Sequence, residues 1–230
     1  MSAHKLLLDL NSSDGMKTVL KLRLVHIWGS YAPNNPLVIC DYCTLWVDEQ
    51  GVLVQGIAPA ELVCHFALIL KVNCVYLVGN FHVQTHSSVH SACSHKLNMV
   101  LSENTSFHDV TILSPNFCTN SFEFVRFNTL RSLTHSSSHL ADVVGVVVAV
   151  TGLSCSIMPY GLIPKRKLVI KDESNVLLHI TLWGEVARSL DDEELAYLGR
   201  SDKVILGVCS LQVTSTTKEG FSCLAHQSFV

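Results

Sequence analysis

Short alternations of apolar and polar residues, not long helical stripes, run through most of the 230-residue chain. From Val19 to Val25 the apolar positions alternate with Lys21 and Arg23, the period of a half-buried strand. Pro33-Asn34-Asn35-Pro36 then predicts a loop, Leu37–Ile39 and Thr44–Val47 resume strand, and Asp48-Glu49-Gln50-Gly51 predicts a turn in which Gly51 supplies positive φ. Another strand follows over Val52–Ile57. A helix is predicted over Pro59–Leu70, where Leu62, Phe66, Ile69 and Leu70 share a face. Strands near Val75–Val83 and His90–Val100 complete a set of about five.

The second half repeats this order. Ala141–Val150 is a β-branched strand, followed by a loop holding Gly152, Pro159 and Gly161. Lys167–Ile170 leads into the turn Lys171-Asp172-Glu173-Ser174-Asn175, and Val176–Trp183 is the next strand, ended by Gly184. Short helices are predicted over Glu185–Leu190 and Asp192–Leu198, then strands over Val204–Val213 and Phe221–His226. Repetition at this scale predicts two similar units: a first domain at 1–112, a linker at 113–138 and a second domain at 139–230. Within the linker, Phe117, Phe122, Phe124 and Phe127 are too apolar for a free segment and are expected to pack on a barrel. The fold class is all-β with short helices, as two tandem five-stranded OB-fold barrels.

Composition narrows the function. Hydrophobic residues make up 48% of the chain and charged residues 15%, the latter low against a usual ~25%. With a mean hydropathy of +0.35, this implies large buried faces, one of them covered by a partner. No run approaches the ~18 apolar residues of a membrane span. Met1–Leu10, with one apolar triplet and an early Asp9, does not have the pattern of a secretory leader. Nine cysteines, scattered in apolar strands, fit buried thiols in a reducing compartment. The expectation is a soluble intracellular protein with no membrane association. A net charge of −3 gives no global attraction for nucleic acid, so a binding face has to be local.

The candidate chemistry is sparse. No P-loop, G-x-S-x-G or H-E-x-x-H occurs, so an enzyme is not expected and no cofactor is implied. Cys40-x-x-Cys43 lacks the second pair of a zinc ribbon, and His82, His86, His90 and His95 with Cys93 follow no standard ligand spacing, so no metal is expected. Asp191-Asp192-Glu193-Glu194 suits the start of a helix.

Three stretches of the second half carry a family resemblance: Asp142–Val147, Lys165-Arg166-Lys167-Leu168-Val169-Ile170-Lys171-Asp172-Glu173-Ser174, and Ile180-Thr181-Leu182-Trp183-Gly184-Glu185-Val186-Ala187. In order and spacing they resemble the second central OB domain of the replication protein A large subunit. Val25–Trp28, Trp46–Gly51, Val75–Phe81 and His95-Lys96-Leu97 resemble the preceding domain in its plant-type form. The resemblance covers roughly residues 17–230. It implies a nuclear single-stranded DNA-binding protein of replication, repair or recombination, working with other subunits of a replication protein A-like complex or other nuclear proteins.

By the same resemblance Trp183 is a base-stacking aromatic, with Lys165 and Arg166 a basic pair on the neighbouring strand. Lys167 extends the pair; the bland reading of all three is a solvated strand edge. The other stacking places fall near Thr216, Ala58 and His90, with Gln212, His26 and about Ala32 at basic places. His90 is a poor substitute for an aromatic. Trp28 is either barrel packing or a nucleic-acid contact, while Trp183 also has a core reading at a strand end. At ~1–3 kcal/mol per base stack, three missing aromatics would turn tight binding into weak binding. The competing class is therefore an OB-fold scaffold for protein–protein interaction.

Overall fold

The computed structural model describes residues 4–32, 35–85, 91–118, 122–130, 140–159, 161–200, 202–217 and 220–225, with side chains outside 30–39 and 214–225. Its contacts divide the chain into two units, Met1–Ser121 and Phe122–Val230.

Unit 1 contains β1 (Leu20–Ala32), β2 (Asn35–Val47), β3 (Leu53–Pro59), α1 (Val63–Ile69), β4 (Val75–Gly79), β5 (His82–Thr85), β6 (Leu97–Val100) and β7 (Ser106–Asp109). β1 pairs antiparallel with β2 and β4, and β2 with β3. β6 lies parallel to β3 and β7 antiparallel to β4, so these two are successive halves of a fifth strand that closes the barrel. Trp46 fills the centre, fully buried. Its indole N–H donates to Thr44 Oγ1 at 2.7 Å, and its ring stacks on Phe107 at 5.9 Å. Gly56, opposite Thr44, has no room for a side chain, since a Cβ there would lie 2.4 Å from Thr44 Oγ1. The predicted long helix is shorter, a 3₁₀ turn at Ala60–Leu62 leading into α1, whose Phe66 plugs the core. The strand predicted over 75–83 breaks at Asn80, which adopts φ 56°.

Unit 2 contains α2 (Phe127–Leu130), β8 (Ala141–Val150), β9 (Ser154–Met158), β10 (Gly161–Lys171), β11 (Leu177–Trp183), α3 (Gly184–Ser189), α4 (Asp192–Leu198), β12 (Ile205–Thr217) and β13 (Gly220–Ala225). β8 pairs with β10 and β12, β10 with β11, β11 in parallel with β13, and β13 with β12. That ring is a five-stranded OB-fold barrel with its helices between the third and fourth strands. β9, read from sequence as loop, pairs with the start of β10 as a hairpin arm outside the ring.

The stretch 113–138 is shared between the units where it is described. Phe117 is buried in unit 1, while Phe127 and Leu130 belong to the core of unit 2.

The repeated Asp-Glu turns have one hydrogen-bond pattern. Asp48 Oδ1 accepts from the N–H groups of Gln50 and Val52, both at 2.9 Å; Asp172 Oδ1 accepts from Ser174 at 2.9 Å and Val176 at 3.0 Å. Positive φ falls on Gly51 in the first and on Asn175 in the second. Asn is among the few residues that tolerate that conformation.

Candidate nucleic-acid interface

Alternation along β10 sorts its side chains. Pro164, Arg166, Leu168 and Ile170 are buried, while Lys165, Lys167, Val169 and Lys171 lie on the outer face. On β11 the directly opposed residues share that face, giving the pairs Lys165–Trp183, Lys167–Thr181, Val169–His179 and Lys171–Leu177. A groove of about 260 Å³ runs over it, lined by Ala149, Thr151, Lys167, Val169, His179 and Thr181 among others. Lys167 and His179 are exposed, Lys165 and Trp183 partly so. The Trp183 indole N–H is buried and makes no hydrogen bond. Three ammonium groups along one strand beside an aromatic and an imidazole form a local basic face on an acidic protein. Such a face can pair with phosphates and stack bases.

Arg166 is placed differently from its sequence neighbours. It is 4% exposed. Its Nε donates to the Ala187 carbonyl at 3.1 Å and its Nη1 to the Thr151 carbonyl at 3.1 Å. The same Nη1 pairs with Asp192 Oδ1 at 2.6 Å. The guanidinium thus ties β10 to Thr151 at the end of β8 and to both helices, instead of standing beside Lys165 on the outer face. This hydrogen bond holds the Asp192 carboxyl below its usual range. Asp191 caps α4, its Oδ1 accepting from Glu193 and Glu194 at 3.0 Å each.

Residues on the same face that sequence reading passed over are Lys171 and His179. The period of two that joins Lys165 to Lys167 reaches Lys171 as well, which was the available signal.

In unit 1, Trp28 is partly buried and stacks on His26 at 5.7 Å. It packs against an outer cluster formed by Leu45, Val47, Leu53 and Cys93. Burial lowers the His26 imidazole to about 4, so the ring is neutral at physiological pH and supplies no charge at its expected basic place. Ala58 is buried and His90 lies outside the described residues. Lys21 and Arg23 on β1 sit over the Phe117 ring at 5.4 and 5.9 Å. Arg23 also donates to the Asn73 and Phe117 carbonyls. Among the described residues, no group of three or more potential metal ligands comes together, and no helix is long and apolar enough to cross a membrane.

A family model described as the replication protein A OB domain matches residues 130–218. A replication protein A 70 kDa DNA-binding subunit from Arabidopsis thaliana is 22% identical over 194 residues, covering 83% of this chain and 30% of that protein. A solved replication protein A heterotrimer bound to ssDNA matches with a TM-score of 0.55 at 19% identity, over 95% of this chain and 48% of that one. This is a likeness of fold. The chain therefore spans under a third of the curated relative and about half of the solved chain that it matches.

Proposed function

We infer, from the premise that the chain is a replication protein A large-subunit-like protein, that it binds single-stranded DNA without chemistry, through the outer face of β10 and β11. The observation that carries this reading is the row Lys165, Lys167 and Lys171 standing opposite Trp183, Thr181 and Leu177 on an open strand face. The strand 2–3 face of an OB barrel is where this fold binds oligonucleotides. Its setting would be the nucleus, in replication, repair or recombination, alongside other subunits of a replication protein A-like complex.

Three lysines on phosphates predict a log–log salt slope of about −2, since each contributes about 0.7 on a single strand. Affinity then falls roughly twentyfold between 50 and 200 mM salt. A fluorescence-anisotropy titration with oligo-dT at low and moderate salt tests the reading. Absence of saturable binding at low salt overturns it.

A second reading, a protein-interaction scaffold, is favoured by the β9–β10 arm. It holds Ile157 and Leu162 opposite each other at 87% and 69% exposure, and exposed apolar pairs of this kind suit a protein partner. Unchanged DNA affinity in Trp183→Ala, with a protein partner still captured, would decide for the scaffold.

A further inference from the structure

The two barrels differ on the very face that the proposed function uses. Counted from the turn aspartates Asp48 and Asp172, each position on β2 and β3 has a counterpart on β10 and β11. The pair Lys165–Trp183 corresponds to Asp41–Pro59, Lys167–Thr181 to Cys43–Ile57, Val169–His179 to Leu45–Gln55, and Lys171–Leu177 to Val47–Leu53. Every lysine of the unit 2 face is lost in unit 1, and one becomes an acid. A face of Cys43, Leu45, Val47, Leu53 and Ile57 can neutralise no phosphate. What it can do is pack against protein.

The structure supplies the covering protein from the chain itself. β2 is buried on both sides from Tyr42 to Val47, the inward side by the barrel core. On the outward side Cys93, 1% exposed, packs with Leu45, Val47 and Leu53, flanked by Ala92 and Trp28. Gln55 stands where unit 2 has His179. Its Oε1 accepts the Ala92 N–H at 3.0 Å, fixing the segment over the face. The Cys43 thiol on the same face, pushed up to about 12 mainly by burial, accepts from Gln55 Nε2 at 3.9 Å.

We propose that residues 91–93, in the connection between β5 and β6, cover the Leu45–Gln55 and Val47–Leu53 part of the strand face of unit 1 and leave the acidic Asp41 at its open end, so that single-stranded DNA is held by one barrel only. This rests on the reading that the β10–β11 face is the DNA contact. The consequence is a short footprint, of the order of the ~4–16 nucleotides of one OB fold. Unit 1 then adds nothing to affinity, and longer oligonucleotides gain only by statistics.

Two readouts on the 230-residue chain test this. In amide hydrogen exchange of the DNA-free protein, the Ala92 N–H should exchange at least tenfold more slowly than an unprotected amide, and Gln55→Ala should remove that protection. Unprotected exchange in the wild type overturns the seal whether or not the protein binds DNA. In photo-crosslinking to oligo-dT, adducts should map to β10 and β11, and Lys165→Ala with Trp183→Ala should cut affinity tenfold or more and abolish them. Adducts on β2 or β3, or affinity retained in the double variant with adducts moving there, overturn the single-barrel footprint. Failure of the wild type to bind oligo-dT sinks the DNA reading and the footprint together, while the exchange result still decides the seal.

Discussion

Asp48 and Asp172 hold equivalent turns in the two barrels, but among the described residues Asp48 alone reaches outside its turn. Its Oδ2 accepts the Leu7 N–H at 3.1 Å and so anchors the segment that precedes β1. Asp48 is fully buried, whereas Asp172 is half-buried.

That difference sets an order of stabilities. Asp48→Ala leaves three N–H groups without their acceptor, one of them in a buried setting, and should cost about 2–3 kcal/mol. Asp172→Ala frees two N–H groups that water can reach, and should cost about 1 kcal/mol. Urea unfolding of the two variants measures the gap; equal losses would contradict it.

Trp183 is the one aromatic side chain on the groove face of β10 and β11. Its replacement by Ala should weaken oligo-dT binding by about 1–3 kcal/mol, while Phe, which keeps a π-face, should retain most of the affinity. Equal binding by the Ala variant and the wild type would remove Trp183 from the interface.

Arg166 and Lys167 are adjacent in sequence and opposite in placement, so their substitutions should separate cleanly. Lys167→Ala should leave stability unchanged and make the salt slope shallower by about 0.7. Arg166→Gln removes the ion pair of the buried guanidinium with the partly exposed Asp192 carboxylate and weakens the ties to Ala187 and Thr151. It should destabilise the fold by about 2–4 kcal/mol while leaving the salt slope of the remaining folded protein unchanged. A shallower slope for Arg166→Gln would put its guanidinium on a phosphate.

The barrels were legible in the sequence because their devices are local. Strand alternation and the twin Asp-Glu turns each depend on residues a few positions apart. The same period of two could have separated Arg166 from Lys165 and Lys167, and drawn in Lys171. Neighbourhood in sequence suggested a basic pair where the strand puts its two members on opposite faces. β9 was hidden for another reason. It pairs only with the arm of β10, buries no face, and so its residues Ser154, Cys155 and Ser156 lack the strand's alternating signature. The seal over unit 1 depends on Ala92 meeting Gln55, 37 residues earlier. No local pattern encodes such a contact.

His26 makes the stability of unit 1 depend on pH in the mildly acid range. Burial lowers its imidazole from 6.5 to about 4, so the folded protein excludes a proton that the unfolded chain accepts. Above about pH 6.5 neither state is protonated and stability does not depend on this group. Between about 6.5 and 4 the unfolded chain binds more protons, and stability falls as pH falls, levelling off once both states are charged. The full loss is no more than about 3 kcal/mol, less in proportion to the water that reaches the ring. Trp28, stacked on His26 at 5.7 Å, offers a reporter, since a charged imidazole beside the indole should change its fluorescence with a midpoint near 4. Urea midpoints at pH 7, 5.5 and 4.5 should decline in the wild type more steeply than in His26→Gln, which cannot take up the proton. Parallel pH profiles for the two proteins would show that the buried ring does not set the acid limit.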